Sequence, residues 1–489
     1  MMSAVRPELL KSQLFIAGEW RNASAASTFP VLNPATGKII IEVADASVDD
    51  AGSAISAAAH AQAGWAAIPV QQRCHLLRKW FGLVTRCQRD LAHLLTLEQG
   101  KPLAEAEAEI AYGASYIDWF ADEARRVYGD VIPPPDGGKR ILTLKQPVGV
   151  VAAITPWNFP NAMLARKMAP ALAAGCALVA KPAAETPLSA LALAYLAQEA
   201  GIPDGVINVL PSTRSQALGE VFCHHPQVQK LSFTGSTAVG KQLISQIASQ
   251  VKRISLELGG NAPFIVFEDA DIDAAVSGAI ASKFRNAGQT CVCANRFYVQ
   301  RSIYEVFLGR LIAAVEKLHI GNGLEEGVNL GPLISPKAQQ KVHDLVQAAL
   351  SEGATLAYSQ ALSAGLVKQG YFYPAQILRD VPVNSVLASE EIFGPVVPLI
   401  AFDTEDEVLE LANASDYGLA SYAYTRDRTR CWRLSQQLQT GMLGLNTGVI
   451  SNAMAPFGGV KQSGWGREGS KYGLDDYLSI KYICEDLDN

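Results

Sequence analysis

The chain has 489 residues, 49% of them hydrophobic and 18% charged, with 41 Lys and Arg against 47 Asp and Glu for a formal net charge of −6. The apolar content excludes a disordered chain, and the length implies two or three domains with cores of their own. The mild acidity argues against a nucleic-acid partner, which would meet a basic face.

No apolar run approaches the roughly 18–20 residues of a membrane span. The opening MMSAVRPELLKSQ lacks the basic-then-apolar layout of a secretory leader. The expectation is a soluble cytoplasmic globule with no membrane partner. Eight cysteines are too few for a disulfide scaffold at this length, and only Cys291 and Cys293 are close neighbours. The seven histidines show no metal-ligand spacing, so no metal site is expected.

In chain order, residues 15–45 read as an extended lead-in, FIAGEW and IIIEV around a turn at Asn33-Pro34-Ala35-Thr36-Gly37. From Asp49 to about Tyr128 the chain is Ala-rich with apolar residues at helical spacing, and Gly100-Lys101-Pro102 stops one helix of the series. Three prolines at 133–135 forbid a helix, and the alternating KRILTLKQPVGV suggests a hairpin-like excursion. Beyond 148, β-branched runs alternate with helical stretches: strands at 148–157, 176–182, 205–211, 228–236 and 253–260, with helices between. That alternation is the signature of a parallel α/β sheet, whose ligands bind beyond the carboxyl ends of the strands. A second alternation starts near 260 with APFIVF, a helix over 271–284 and NRFYVQ, and continues to PVVPLIAF and MLGLN. The tail DDYLSIKYICEDL reads as a strand whose edge needs cover from another element or subunit.

Two motif matches fail on physical grounds. Gly235-Ser-Thr-Ala-Val-Gly240-Lys241-Gln242 resembles a phosphate loop, but Gln242 stands where a hydroxyl should hold magnesium. Because the loop follows a strand and opens a helix, a dinucleotide pyrophosphate suits it better. The literal GxGxxG at Gly464, Gly466 and Gly469 follows a loop and leaves only 20 residues, too few for a βαβ unit. Glu257, at the next strand end after the first loop, admits three readings: a ribose ligand, a carboxylate presented by the Gly259-Gly260 turn, or an unengaged strand-end glutamate.

TPWNFP at 155–160, KPAAETP at 181–187, FTGST at 233–237, LELGG at 256–260, GQTCVC at 288–293, EEIFGP at 390–395 and APFGGVKQSG at 455–464 together resemble the aldehyde dehydrogenase superfamily. Within it, FRNAGQTCVC, NTGVISN and GREGSKYGLDDYLSIKY are similar to succinate-semialdehyde dehydrogenases. The resemblance implies two doubly wound α/β domains plus a small β oligomerisation element: a dinucleotide-binding domain from 1–128 and 148–259, a catalytic domain at 260–460, and the element from 129–147 and 461–489. It implies a homotetramer or homodimer.

The same resemblance makes Cys291 the nucleophile, a thiolate that captures the aldehyde carbon so that hydride can leave to a nicotinamide. It makes Asn158 the oxyanion donor and Glu257 the general base, which settles the three readings in favour of catalysis. Thr155, Trp157, Lys181, Ala184, Gly235, Ser236, Glu391 and Phe393 fall at cofactor positions. Ala184 stands where NAD-preferring relatives carry glutamate, which favours NADP with NAD also used, although Glu185 would repel a 2′-phosphate if it turned inward. Arg166, Arg285 and Ser451 match the pocket for a substrate carboxylate, where arginine's fork suits the anion. Ala453 replaces a family glutamate at the rim, leaving glutarate semialdehyde or a sulfonated aldehyde as alternatives to succinate semialdehyde. Cys293 matches the partner of a reversible disulfide that silences the nucleophile. A catalytically retired relative is the competing reading from another class.

Overall fold

Small and β-branched residues after Pro147 alternate with Ala-rich helices, and in the computed structural model they build a parallel sheet. The structure describes residues 5–135 and 137–487; the first four residues of the N-terminal stretch, Asp136 of the 129–147 excursion and the last two residues of the tail lie outside that range. Strands Val150–Ile154, Ala177–Lys181 and Ile207–Val209 are laid side by side in that order. The chain then crosses to the other flank of the first strand and adds Val228–Thr234 and Arg253–Glu257, all parallel. A switch point therefore falls between 150–154 and 228–234, where connections diverge and leave a crevice beyond the strand ends.

The strands bury both faces. Val151, Ala153, Leu178 and Ala180 pack into one apolar layer, with helices Val70–Arg86, Leu103–Glu123, Pro160–Ala174 and Pro187–Ala200. Val150, Ala152, Ala177 and Val179 point into the opposite layer, with helices Val48–Ala67, Ser215–His224 and Thr237–Ile247. The period-2 alternation of the strands explains why these runs read as continuously apolar. Gly100, at φ +95°, ends helix Gln88–Gln99 as its sequence predicts. At the end of that helix the buried Glu98 accepts from the amides of Leu188 (2.7 Å) and Ser189 (2.8 Å), capping helix 187–200. Burial pushes its carboxyl up to about 8.

A second sheet carries Gln376–Arg379, Val396–Phe402, Ala294–Gln300, Ala262–Val266, Ala420–Tyr424 and Met442–Leu445 as parallel neighbours, with Thr355–Ser359 antiparallel at one edge. A third, three-stranded sheet joins Val131–Ile132, Lys139–Pro147 and the tail strand Leu478–Asp486. The tail pairs with the excursion from Leu478 opposite Pro147 to Asp486 opposite Lys139. Its outer edge has no strand partner among the described residues.

The lead-in differs from its sequence reading. FIAGEW is not simply extended: Leu14–Ile16 and Glu19–Arg21 form a hairpin at the edge of the first sheet. Its turn places Ala17 at φ 55° and Gly18 at φ 83°. Alanine does not announce a left-handed turn, and the Ala17 amide is fixed by Asn208 Oδ1 (2.9 Å), far away in sequence. The glycine-rich segment at 464–469 is likewise no nucleotide fingerprint, since Gly464–Trp465 pairs antiparallel with Leu256 and Glu257. Among the described residues no helix is long and apolar enough to cross a membrane.

Candidate active site

Loops from both large sheets converge beyond the switch point. Asn158 lies in the loop after strand 150–154, Ser236 follows strand 228–234, and Glu257 ends strand 253–257. Cys291 comes from the other side, in the loop ahead of strand 294–300. The two halves meet closely at Gly260: a Cβ there would stand 2.3 Å from the Cys291 carbonyl oxygen, so only glycine admits the contact.

Half-buried Cys291 lines two cavities. The larger, of about 540 Å³, is bordered by Trp157, Asn158, Gly235, Ser236, Glu391 and Phe393. Ser236 caps helix 237–247, its hydroxyl accepting from Val239 N at 3.4 Å, and presents the positive end of that helix to the cavity. Trp157 and Phe393 meet edge-on with ring centres 5.6 Å apart. Glu391 Oε1 accepts from Gly260 N (3.1 Å), and burial pushes its carboxyl up to about 7.

Three expected cofactor residues do not border this cavity. Thr155 is buried, with its amide on the Lys181 carbonyl (3.2 Å), and Lys181 Nζ donates to Pro182 O (3.2 Å). Burial lowers the Lys181 ammonium to about 8. Ala184 packs on the helical core layer, whereas its neighbour Glu185 does face the cavity.

The smaller cavity, of about 200 Å³, is bordered by Cys291, Arg166, Arg285, Ser451 and the rings of Phe159, Phe457 and Tyr112. Arg166 is fully buried, lies 4.4 Å from the Phe457 ring centre and is ion-paired to Glu468. Arg285 lies 5.4 Å from the Phe159 ring centre; its Nε is buried and unpartnered, and it has no ion pair among the described residues. It is the uncommitted cation of this cavity.

Burial pushes the Cys291 thiol up to about 12. Burial and then the Glu468 charge push Glu257 well above the carboxylate range, against Arg166, Lys167 and Arg467. Cys291 therefore holds its proton near neutral pH. Asn158 donates through Nδ2 to Gln289 O (3.0 Å), and its buried Oδ1 has no partner. The buried Cys293 thiol is directed at the carbonyls of Ala294 (3.4 Å) and Lys283 (3.6 Å).

Several members of the site escape a reading of the chain alone. Glu468 bridges Arg166 and Lys167 (2.5 Å to the latter) beside Glu257. Lys101, Glu105 and Glu109 approach from helix 103–123 and its lead-in. In sequence these are ordinary charges on Ala-rich or Gly-rich segments, and only their burial marks them.

The aldehyde dehydrogenase family model matches residues 20–483, and the chain belongs to that family. It is thus an oxidoreductase built on the mixed α/β fold of these enzymes. It is 54% identical to the 3-sulfolactaldehyde dehydrogenase of Pseudomonas putida, over 99% of each chain. It is also 54% identical to the glutarate-semialdehyde dehydrogenase of Pseudomonas putida strain KT2440, over 98% of each. The solved succinate-semialdehyde dehydrogenase of Burkholderia pseudomallei superimposes with a TM-score of 0.96 at 53% identity, covering 98% of this chain and 99% of that one.

Proposed function

We propose that the protein oxidises a small anionic aldehyde, succinate semialdehyde or a close analogue, to the carboxylic acid with NADP or NAD. The observation that carries this reading is the uncommitted Arg285 guanidinium in the same small cavity as Cys291. Arg166 is ion-paired to Glu468, which Lys167 shares, whereas Arg285 has no ion pair among the described residues, so a substrate carboxylate or sulfonate would supply its counter-charge. The relatives' names, which include a sulfonated aldehyde and two semialdehydes, agree on an anionic far end and differ in its length and chemistry.

In this mechanism Cys291 Sγ adds to the aldehyde carbon, and its proton leaves to the Glu257 side of the site. The new oxyanion is met by the Cys291 amide and by Asn158 Nδ2, which must release Gln289 O to reach it. A nicotinamide dinucleotide in the larger cavity would supply the hydride acceptor. Ser236 and the amides of helix 237–247 would hold its pyrophosphate and Glu391 its nicotinamide ribose, and Lys181, on leaving Pro182, would hold the adenosine ribose. Once that first proton has passed to solvent, Glu257 takes a proton from water attacking the thioester, and Cys291 leaves as the thiolate while the acid is released. Position 184 carries no carboxylate and Glu185 borders the cavity, so Glu185 is the group placed to oppose a 2′-phosphate and Glu185→Gln should raise the preference for NADP.

A kinetic panel of succinate, glutarate, sulfonated and uncharged aldehydes with both dinucleotides, followed at 340 nm, tests the reading. It predicts kcat/KM at least about tenfold higher for one anionic aldehyde than for an uncharged one of equal length. Equal values would remove the anion site, and no turnover at all would favour a retired relative. Oligomer assembly through the free edge of strand 478–486, as dimer or tetramer, belongs to the same proposal, as does a Cys291–Cys293 disulfide. In that switch a peroxide oxidises Cys291 to a sulfenic acid, and Cys293 Sγ displaces its oxygen as water. Thiol-reversible inactivation that Cys293→Ala abolishes is expected; equal irreversible loss in both proteins would exclude the switch.

A further inference from the structure

Residues 286–288 sit in an unusual backbone state. Asn286 (φ 52°), Ala287 (φ 53°) and Gly288 (φ 75°) are three consecutive left-handed residues immediately before Gln289-Thr290-Cys291. For the two non-glycine residues this conformation is strained, so contacts from outside the turn must help to hold it.

Gln289 ties the turn to the Pro332 carbonyl (3.3 Å) and the Ile334 amide (2.9 Å), and the carboxylate that holds the Asn286 amide is on helix 103–123. Glu105 Oε2 accepts from the Asn286 amide at 2.7 Å. One helical turn on, Glu109 accepts from the amides of Asn161 (3.0 Å) and Ala162 (3.2 Å) and from Lys101 Nζ (2.5 Å). Lys101 Nζ donates in turn to the carbonyl of Asn158 (2.8 Å), which also accepts from Asn286 Nδ2 (2.9 Å). A closed path therefore runs from Glu105 through Asn286, Asn158 and Lys101 to Glu109 on the same helix. It grips the loop that bears Asn158 and the loop that bears Cys291 from one rigid support.

Lys101 and Glu109 are almost fully buried, an expensive arrangement that a hydrophobic pair could replace if stability were all that mattered. We propose that Glu105 is a positioning residue for the reaction: by accepting from the Asn286 amide it maintains the left-handed turn that sets Cys291 against Asn158, while Lys101 and Glu109 fix the Asn158 side. This rests on the reading of Cys291 as nucleophile. Glu105 acts through its reach and its acceptor oxygen, not through its charge on the substrate.

That distinction selects the variants. Glu105→Gln keeps an acceptor at the right distance and loses the charge. Glu105→Asp keeps the charge and falls one methylene short. Pre-steady-state NADPH or NADH formation should slow about a hundredfold in Glu105→Asp and Glu105→Ala, the scale of a roughly 1 Å misplacement. Glu105→Gln should recover to within about threefold. The loss should fall on kcat equally for anionic and uncharged aldehydes, with dinucleotide affinity unchanged. Carbamidomethylation of Cys291 by iodoacetamide should change in the same two variants only.

If Glu105→Asp behaves like wild type while Glu105→Gln loses KM for anionic substrates alone, Glu105 tunes the anion site and the positioning claim is overturned. Unchanged burst rates in all three variants overturn it as well. If Glu105→Ala does not fold, the Gln and Asp pair still decides. Cys291→Ser is run alongside: turnover surviving there defeats the underlying reading, whereas the Glu105 outcomes leave that reading standing.

Discussion

The two cavities that meet at Cys291 are built in different ways. The larger is made mostly from loops at strand ends and a helix N-terminus, features that the chain itself signals through Gly-rich turns and strand–helix alternation. The smaller is made from side chains of packed helices, with a buried ion pair, aromatic walls and one unpaired guanidinium. The first uses backbone that a whole family of folds can supply. The second depends on a few side chains whose charges balance only in this packing, which is where related enzymes can diverge in substrate.

The comparison breaks most directly at the atom the cavities share. Cys291→Ser should lower dehydrogenase turnover roughly a thousandfold or more with every substrate, because a serine alkoxide is unavailable near neutral pH. An assay at 340 nm with both dinucleotides checks it, and a loss confined to one cavity's ligand would separate what the account joins. Next in size, Arg285→Ala should raise KM for succinate semialdehyde about 30-fold or more while an uncharged aldehyde changes by less than about threefold. Parallel losses would mean that Arg285 shapes the loop and not the anion site.

A pH series sharpens the same contrast. Because burial pushes the Cys291 thiol up to about 12, its alkylation rate should rise about tenfold per pH unit from 7 to 10 with no plateau. A plateau below pH 8 would mean that the resting site already holds a thiolate. The smallest effect concerns Glu98, away from the chemistry. Its folded value of about 8 lies above the ordinary 4.5, so its contribution to stability is complete below about pH 4.5 and is lost as pH rises through about 8. The thermal midpoint of Glu98→Gln should therefore fall less than that of wild type between pH 6 and 9; identical slopes would count against a raised Glu98.

Much of the larger cavity was legible beforehand because it depends on local pattern. Asn158, Ser236 and Glu391 stand in loops that motif and alternation locate, Glu257 at a strand end near it is located in the same way, and Gly260 is explained by one close approach. Lys181 and Ala184 show the limit, since a motif fixes a position in the chain but not where a side chain turns. The supports of the smaller cavity were not legible. Glu105 and Glu109 lie one turn apart on helix 103–123 and Lys101 just ahead of it, and the spacing of these charges in KPLAEAEAE reads as a solvated stripe. Their burial follows from the packing of helix 103–123 on helix 160–174, a long-range event that no local periodicity carries. Glu468, 301 residues from Lys167, is hidden for the same reason.

The account's central claim is that Cys291 carries the acyl group between the two cavities and that Glu257 releases it. Glu257→Gln mixed with succinate semialdehyde and excess NADP, quenched in acid and read by intact-protein and peptide mass spectrometry, tests this directly. The account predicts one succinyl group per chain, on Cys291, formed together with one equivalent of NADPH. An unmodified Cys291 after that equivalent has appeared, or an acyl group on another residue, would contradict it.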